Sequence, residues 1–144
     1  LLLLTLRPGG EHVRLELIRS ALVRGRMCEL LGDIARTAVN RDIPSGGTLF
    51  LVGLFSHLDV LLGREMGAIL EDITVCPEVR GALLNREGKA GVLLDGVIRY
   101  TDADWAGAAE RLAEAGVPSE GLGDVYLDAL GWAGLHMSLY QDAA

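Results

Sequence analysis

The chain has 144 residues, half of them hydrophobic, and a formal net charge of −7 at pH 7. That length suits a single domain, spanning residues 1–144, with ample material for a core. So acidic a chain is a poor partner for nucleic acid, whose binding rests on neutralising phosphates. Its two cysteines, Cys28 and Cys76, make neither a disulfide framework nor a CxxC metal knuckle, so a reducing cytoplasm is the expected compartment.

In chain order, Leu1 stands where an initiator Met is usual, and LLLLTL reads as cut from a longer helix, so a fragment truncated at its N-terminus is expected. That apolar run is too short for a signal-peptide core or a membrane span. Arg7-Pro8-Gly9-Gly10 ends any helix there. Residues 11–39 form a long helical pattern, with Leu17, Ala21, Gly25, Cys28, Leu31, Ala35 and Ala38 recurring every three or four positions and Ile18, Leu22 and Ile34 beside them. Arg14, Arg19, Arg24, Arg26 and Arg36 need a solvated or acid-facing side of that helix. Residues 40–47, NRDIPSGG, read as a loop.

Residues 48–63, TLFLVGLFSHLDVLLG, read as one helix apolar on nearly every side, which places it at the centre of the protein with other helices covering it. Gly63 and Arg64 mark a turn, and residues 65–72 make a short helix with Met66, Ile69 and Leu70 inward. Pro77 is suited to the first turn of the next helix, where its missing N–H costs nothing. Residues 85–88 close that helix, residues 89–100 form another, and Asp102 or Asp104 caps a helix from 105 to 115 that Gly116 ends. The last helix begins near Ser119 and carries Leu122, Val125, Tyr126, Ala129, Trp132, Ala133, His136 and Tyr140 on one broad face. No segment reads as a strand and no repeat is found. The expected fold is one compact all-α domain of six or seven helices.

Charge divides unevenly: residues 1–41 carry net +3, residues 42–144 net −10. Such halves more often simply face each other or water; as contact surfaces, the basic side of the long helix (Arg14–Arg36) and the acidic C-terminal half are the candidates.

Ser56, His57 and Asp59 interrupt the central helix and are the first candidates for chemistry. On a regular helix His57 and Asp59 lie roughly 200° apart and cannot face one ion. Ser56 and Asp59 are three apart and within reach of each other. Three histidines in all, His12, His57 and His136, are few for a site that must hold a metal and activate water. There is no GxSxG, neither cysteine has a nearby His, and Pro44-Ser45-Gly46-Gly47 lacks the Lys and the spacing of a phosphate cradle. Cys28 and Cys76 read as core, and Trp105 and Trp132 as core or edge packing. No catalytic, cofactor-binding or metal-ligating residue is assigned, and no cofactor.

Several separated blocks resemble the HDOD (HD-related output) domain, most closely the version found behind EAL domains in bacterial signalling proteins. They are ALVRGRMCELLG at 21–32, FLVGLFSHLDVLLG at 50–63, CPEVRGALLNREG at 76–88, LLDGVIRYTDADW at 93–105 and VYLDALGWA at 125–133. The likeness runs over residues 13–134. It implies a helical fold related to HD phosphohydrolases without their chemistry. Active HD enzymes carry His-Asp in a pattern like LLHDIG, where this chain places Ser56 and His57, and they take a further His from the preceding long helix, where this chain offers Arg24 and Arg26.

The function so implied is a non-catalytic output or scaffold domain in cyclic di-GMP-linked bacterial signalling. Its partner would be a protein or an upstream domain of the same polypeptide, without membrane insertion, and any phosphodiesterase activity would lie in an EAL-type domain outside these residues. The alternatives are a metal-dependent phosphohydrolase built from His57, Asp59 and distant carboxylates, and a small-ligand sensor with a cavity between helices.

Overall fold

The computed structural model describes residues 10–38 and 42–143, and all regular structure among them is α-helical. Leu1–Leu6 and the breaker at 7–9 lie outside the described residues. Eight helices follow in order: α1 Gly10–Ala38, α2 Gly46–Phe55, α3 Leu58–Leu62, α4 Met66–Asp72, α5 Pro77–Asn85, α6 Gly88–Thr101, α7 Trp105–Ala113 and α8 Leu122–Ala143. The eighth arises because the stretch 48–63 is two helices rather than one.

The long helix α1 holds the middle position that residues 48–63 were expected to take, packing against α2, α3, α6 and α8. Its stripe Ala21, Gly25, Cys28, Leu31 and Ala35 is buried. By contrast, Leu51 on α2 and Val60 on α3 are exposed. The reason lies in small residues. Gly53 of α2 sits so close to α1 that a Cβ there would come 2.5 Å from the Arg24 carbonyl oxygen and 2.6 Å from the Gly25 Cα. The two backbones touch, which only glycine permits. The core gathers Met27 and Leu31 of α1, Leu49 and Val52 of α2, Leu93, Leu94 and Val97 of α6, and Leu112 of α7.

Local chemistry sets the boundaries. Arg36 donates to the Pro44 carbonyl and pairs with Asp33 at 2.8 Å, fastening the end of α1 to the turn that follows. Ser45 caps α2 by accepting from the Thr48 N–H at 3.3 Å, so Gly46 and Gly47 belong to the first helical turn rather than to a loop. Pro77 opens α5, and Asp104 caps α7 by accepting from the Gly107 N–H at 3.0 Å. The last helix starts at Leu122, three residues later than Ser119.

Two side chains lie differently from expectation. Cys76 is exposed, because it is the residue immediately before α5 and its side chain makes no cap. Trp105 opens α7 and is 62% exposed, since the helix buries Ala108 and Leu112 instead. The side chain of Tyr140 lies outside the described residues.

Candidate functional site: a polar cluster at the α1–α2 crossing

The interruption of residues 48–63 is a built feature. The Ser56 N–H bonds the carbonyls of both Val52 and Gly53, at 3.1 and 3.3 Å, tightening the last turn of α2. The Ser56 hydroxyl also donates to the Gly53 carbonyl at 2.6 Å, turning back on the end of α2. His57 then adopts φ −103° and ψ 0°, outside the helical region, and α3 restarts beyond it. Because the helix breaks here, a regular wheel does not give the relation of His57 to Asp59.

Both polar residues of the break are engaged by α1. Ser20 Oγ and His57 Nε2 share a hydrogen bond of 2.8 Å. One turn further along α1, Arg24 Nη1 donates to the Ser56 hydroxyl at 3.2 Å. Ser20 and Arg24 are four apart and so lie on the same side of the helix. Ser56 makes no hydrogen bond to Asp59, which accepts from the Val60 N–H at 2.9 Å. The resemblance had placed Arg24 opposite this turn. Ser20 was missed, though its i,i+4 spacing to Arg24 is the signal that could have found it.

The cluster is buried or half-buried and holds a cation, Arg24. Arg24 is half-buried, its Nε is buried without a hydrogen-bond partner, and it makes no ion pair among the described residues. Burial lowers its proton affinity, the nearby Arg86 lowers it further, and the charges of Asp102 and Asp59 act in the opposite sense. Burial likewise holds His57 below its ordinary 6.5, with the Arg24 charge reinforcing the effect and Asp59 and Asp102 opposing it. Arg86 itself takes the left-handed conformation that closes α5, φ 57°, and donates to the Ala82 and Leu83 carbonyls.

Cys28, one turn beyond Arg24, is fully buried, and burial pushes its thiol up to about 12, which makes it a poor nucleophile. Among the described residues no three His, Cys, Asp or Glu side chains converge in a group able to hold a metal ion. His12 is exposed at the start of α1. His136 lies on α8, where its Nδ1 meets the Trp132 carbonyl at 2.9 Å and its ring stacks 4.0 Å from that of Trp132. The three histidines therefore do not converge.

Beside Ser20, a cleft of about 290 Å³ opens between α1, α6 and α8, lined by Ser20, Thr101, Tyr126 and Leu130. A more polar depression of about 370 Å³ lies over α6 and α7, where Arg111 and Arg99 both donate to Asp95 and Arg111 also bonds Glu114.

The chain is similar to a cyclic di-GMP phosphodiesterase. That protein, CdgJ of Vibrio cholerae, is 30% identical over 118 residues, which cover 82% of this chain and 26% of CdgJ. YuxH of Bacillus subtilis, an uncharacterised protein, is 29% identical over 123 residues, covering 85% of this chain and 28% of YuxH. The chain thus spans about a quarter of the length of these relatives. No family model matches the chain, and no solved structure matches it. No helix among the described residues is long and apolar enough to cross a membrane.

Proposed function

We propose that this chain is an HDOD-type regulatory domain, non-catalytic, acting by protein or interdomain contact in cyclic di-GMP-linked signalling. One observation supports the reading above all. At the turn where the HD pattern needs a His-Asp pair, the chain has Ser56 and His57, and both are engaged by α1, through Arg24 and Ser20. A guanidinium carries fixed positive charge that cannot be deprotonated near neutral pH, so Arg24 opposes a metal cation at this turn by charge alone. His57 spends its Nε2 on Ser20, leaving Nδ1 as its remaining ring nitrogen.

The likeness to CdgJ supports placement in cyclic di-GMP signalling. In a longer protein carrying this domain, phosphodiesterase chemistry would sit outside these residues, and the domain would work in the cytoplasm. The test is elemental analysis of the purified chain together with hydrolysis assays on cyclic di-GMP and p-nitrophenyl phosphate in the presence of Mn²⁺, Mg²⁺ or Fe²⁺. Neither bound metal nor turnover is expected. Stoichiometric metal and turnover, both lost in His57→Ala, would overturn the proposal in favour of a phosphohydrolase.

A further inference from the structure

The last helix has an outer face that nothing in the described structure covers. Leu127, Leu135 and Leu139 are 65%, 60% and 58% exposed, and they follow one another at spacings of four or eight, with Gly131 completing the row. A Cβ added to Gly131 would meet nothing within 4 Å, so the row is open along its length. Single exposed leucines are ordinary, but a continuous apolar row on one helix marks a contact surface.

The charge that α8 itself carries beside the row has one sign, while Arg26 of α1 reaches it from the side. No Lys or Arg occurs anywhere in residues 112–144. Asp124 and Asp128 stand beside the leucines on α8 and line the groove where α8 meets α1. That groove, of about 300 Å³, is lined by Leu30, Ile34 and Val125 together with Asp33, Asp124 and Asp128. Asp128 is held only loosely by Arg26, at 3.7 Å, and Asp33 is tied to Arg36. Asp124 has no ion-pair partner among the described residues.

We propose that the outer face of α8, with the groove it makes against α1, binds a basic amphipathic helix from a partner protein or domain. The partner's leucine-type side chains would lie along Leu127, Gly131 and Leu135, and its Lys or Arg would reach Asp124 and Asp128. The occupant's charge follows from the rim. An acidic segment would be repelled, and so would the anionic surface of a membrane. A second copy packed α8 to α8 would set against this face another acidic helix with no Lys or Arg of its own. This proposal names the surface for the contact role given above and rests on that reading. Its outcome is independent of whether His57 binds metal.

The probe is a pair of labelled synthetic helices with the same leucine stripe, one lysine-rich and one glutamate-rich, titrated with the whole chain by fluorescence anisotropy. The lysine-rich helix is expected to bind and the glutamate-rich one not. Leu127→Ala/Leu135→Ala/Leu139→Ala should weaken binding by about tenfold or more, since a few central apolar contacts carry most of such an interface. Its melting temperature should stay close to that of the parent, because all three side chains are exposed. Asp124→Asn/Asp128→Asn should weaken binding and flatten its dependence on salt, with no apolar contact removed. Equal binding of the two helices, or unchanged binding by the leucine variant, would overturn the proposal. So would sedimentation showing a dimer that the leucine variant dissolves, or capture of the chain by vesicles of anionic and neutral lipid that the variant escapes.

Discussion

The two longest helices lie side by side and invert the usual arrangement in opposite ways. On α1 a polar residue, Arg24, is drawn inward and satisfied in part by Ser56, while glycine lets α2 press against its backbone. On α8 the inner face is built from Ala129, Ala133 and Met137, and leucines are left outside. Helix α1 is thus committed to the interior, with little room to change, whereas α8 keeps apolar surface in reserve. The difference shows that apolar content alone does not tell a buried helix from a docking helix. What decides is which side carries the small residues that allow another backbone to approach.

The sharpest way to break that contrast is one substitution made twice. Gly53→Ala should destabilise the fold by about 3 kcal/mol or prevent folding, because its methyl would meet the backbone of Arg24 and Gly25. Urea denaturation measures the loss. Leucines give the same contrast by truncation. Leu49→Ala, fully buried, should cost about 2–5 kcal/mol, whereas Leu135→Ala should change stability by about 0.5 kcal/mol or less. A comparable loss from both would mean that α8 is covered in the isolated chain.

Gly131→Ala should have the sign opposite to Gly53→Ala, stabilising by about 0.5–1 kcal/mol, since the site is open and alanine is the better helix former. A destabilising result there would show that something already lies against α8.

The thiols extend the contrast to reactivity. Near pH 8, about where a free thiol titrates, Cys76 should react with a disulfide reagent in the native protein and Cys28 only after denaturation. Two fast native thiols would mean that the α1 interior opens readily.

The smallest effect concerns pH. His57 is held neutral in the fold below its ordinary 6.5. Below that value the unfolded chain takes up a proton that the folded chain resists. The stability tied to His57 is therefore complete above 6.5 and declines as pH falls through 6.5 towards the folded value. His57→Gln should remove this part of the acid sensitivity, measured as the melting temperature across the acidic range. An unchanged slope would mean that other groups carry it.

The all-helical fold was legible because 3.6-residue periodicity, Pro77, Asp104 and the glycine turns are local signals, read within one element. The break at Ser56 and His57 was not. Nothing in the apolar pattern of residues 48–63 announces it, since it depends on a hydroxyl turning back to the Gly53 carbonyl and on Ser20 and Arg24 arriving from another helix. The exposure of Cys76 was missed for a related reason, as position before a helix, not residue type, set it. The outer leucines of α8, Leu127, Leu135 and Leu139, lie off the broad face read for that helix, but their exposure as a row was not drawn from the sequence.

The sequence by itself determined the class of fold and the approximate helix boundaries, because these depend on residue identity and on neighbours in the chain. Tertiary structure alone decided that α1 and not residues 48–63 forms the middle of the domain, that Arg24 meets Ser56, and that α8 shows leucine to solvent. Those depend on which helix can approach which, and that is settled where two backbones meet at Gly25 and Gly53.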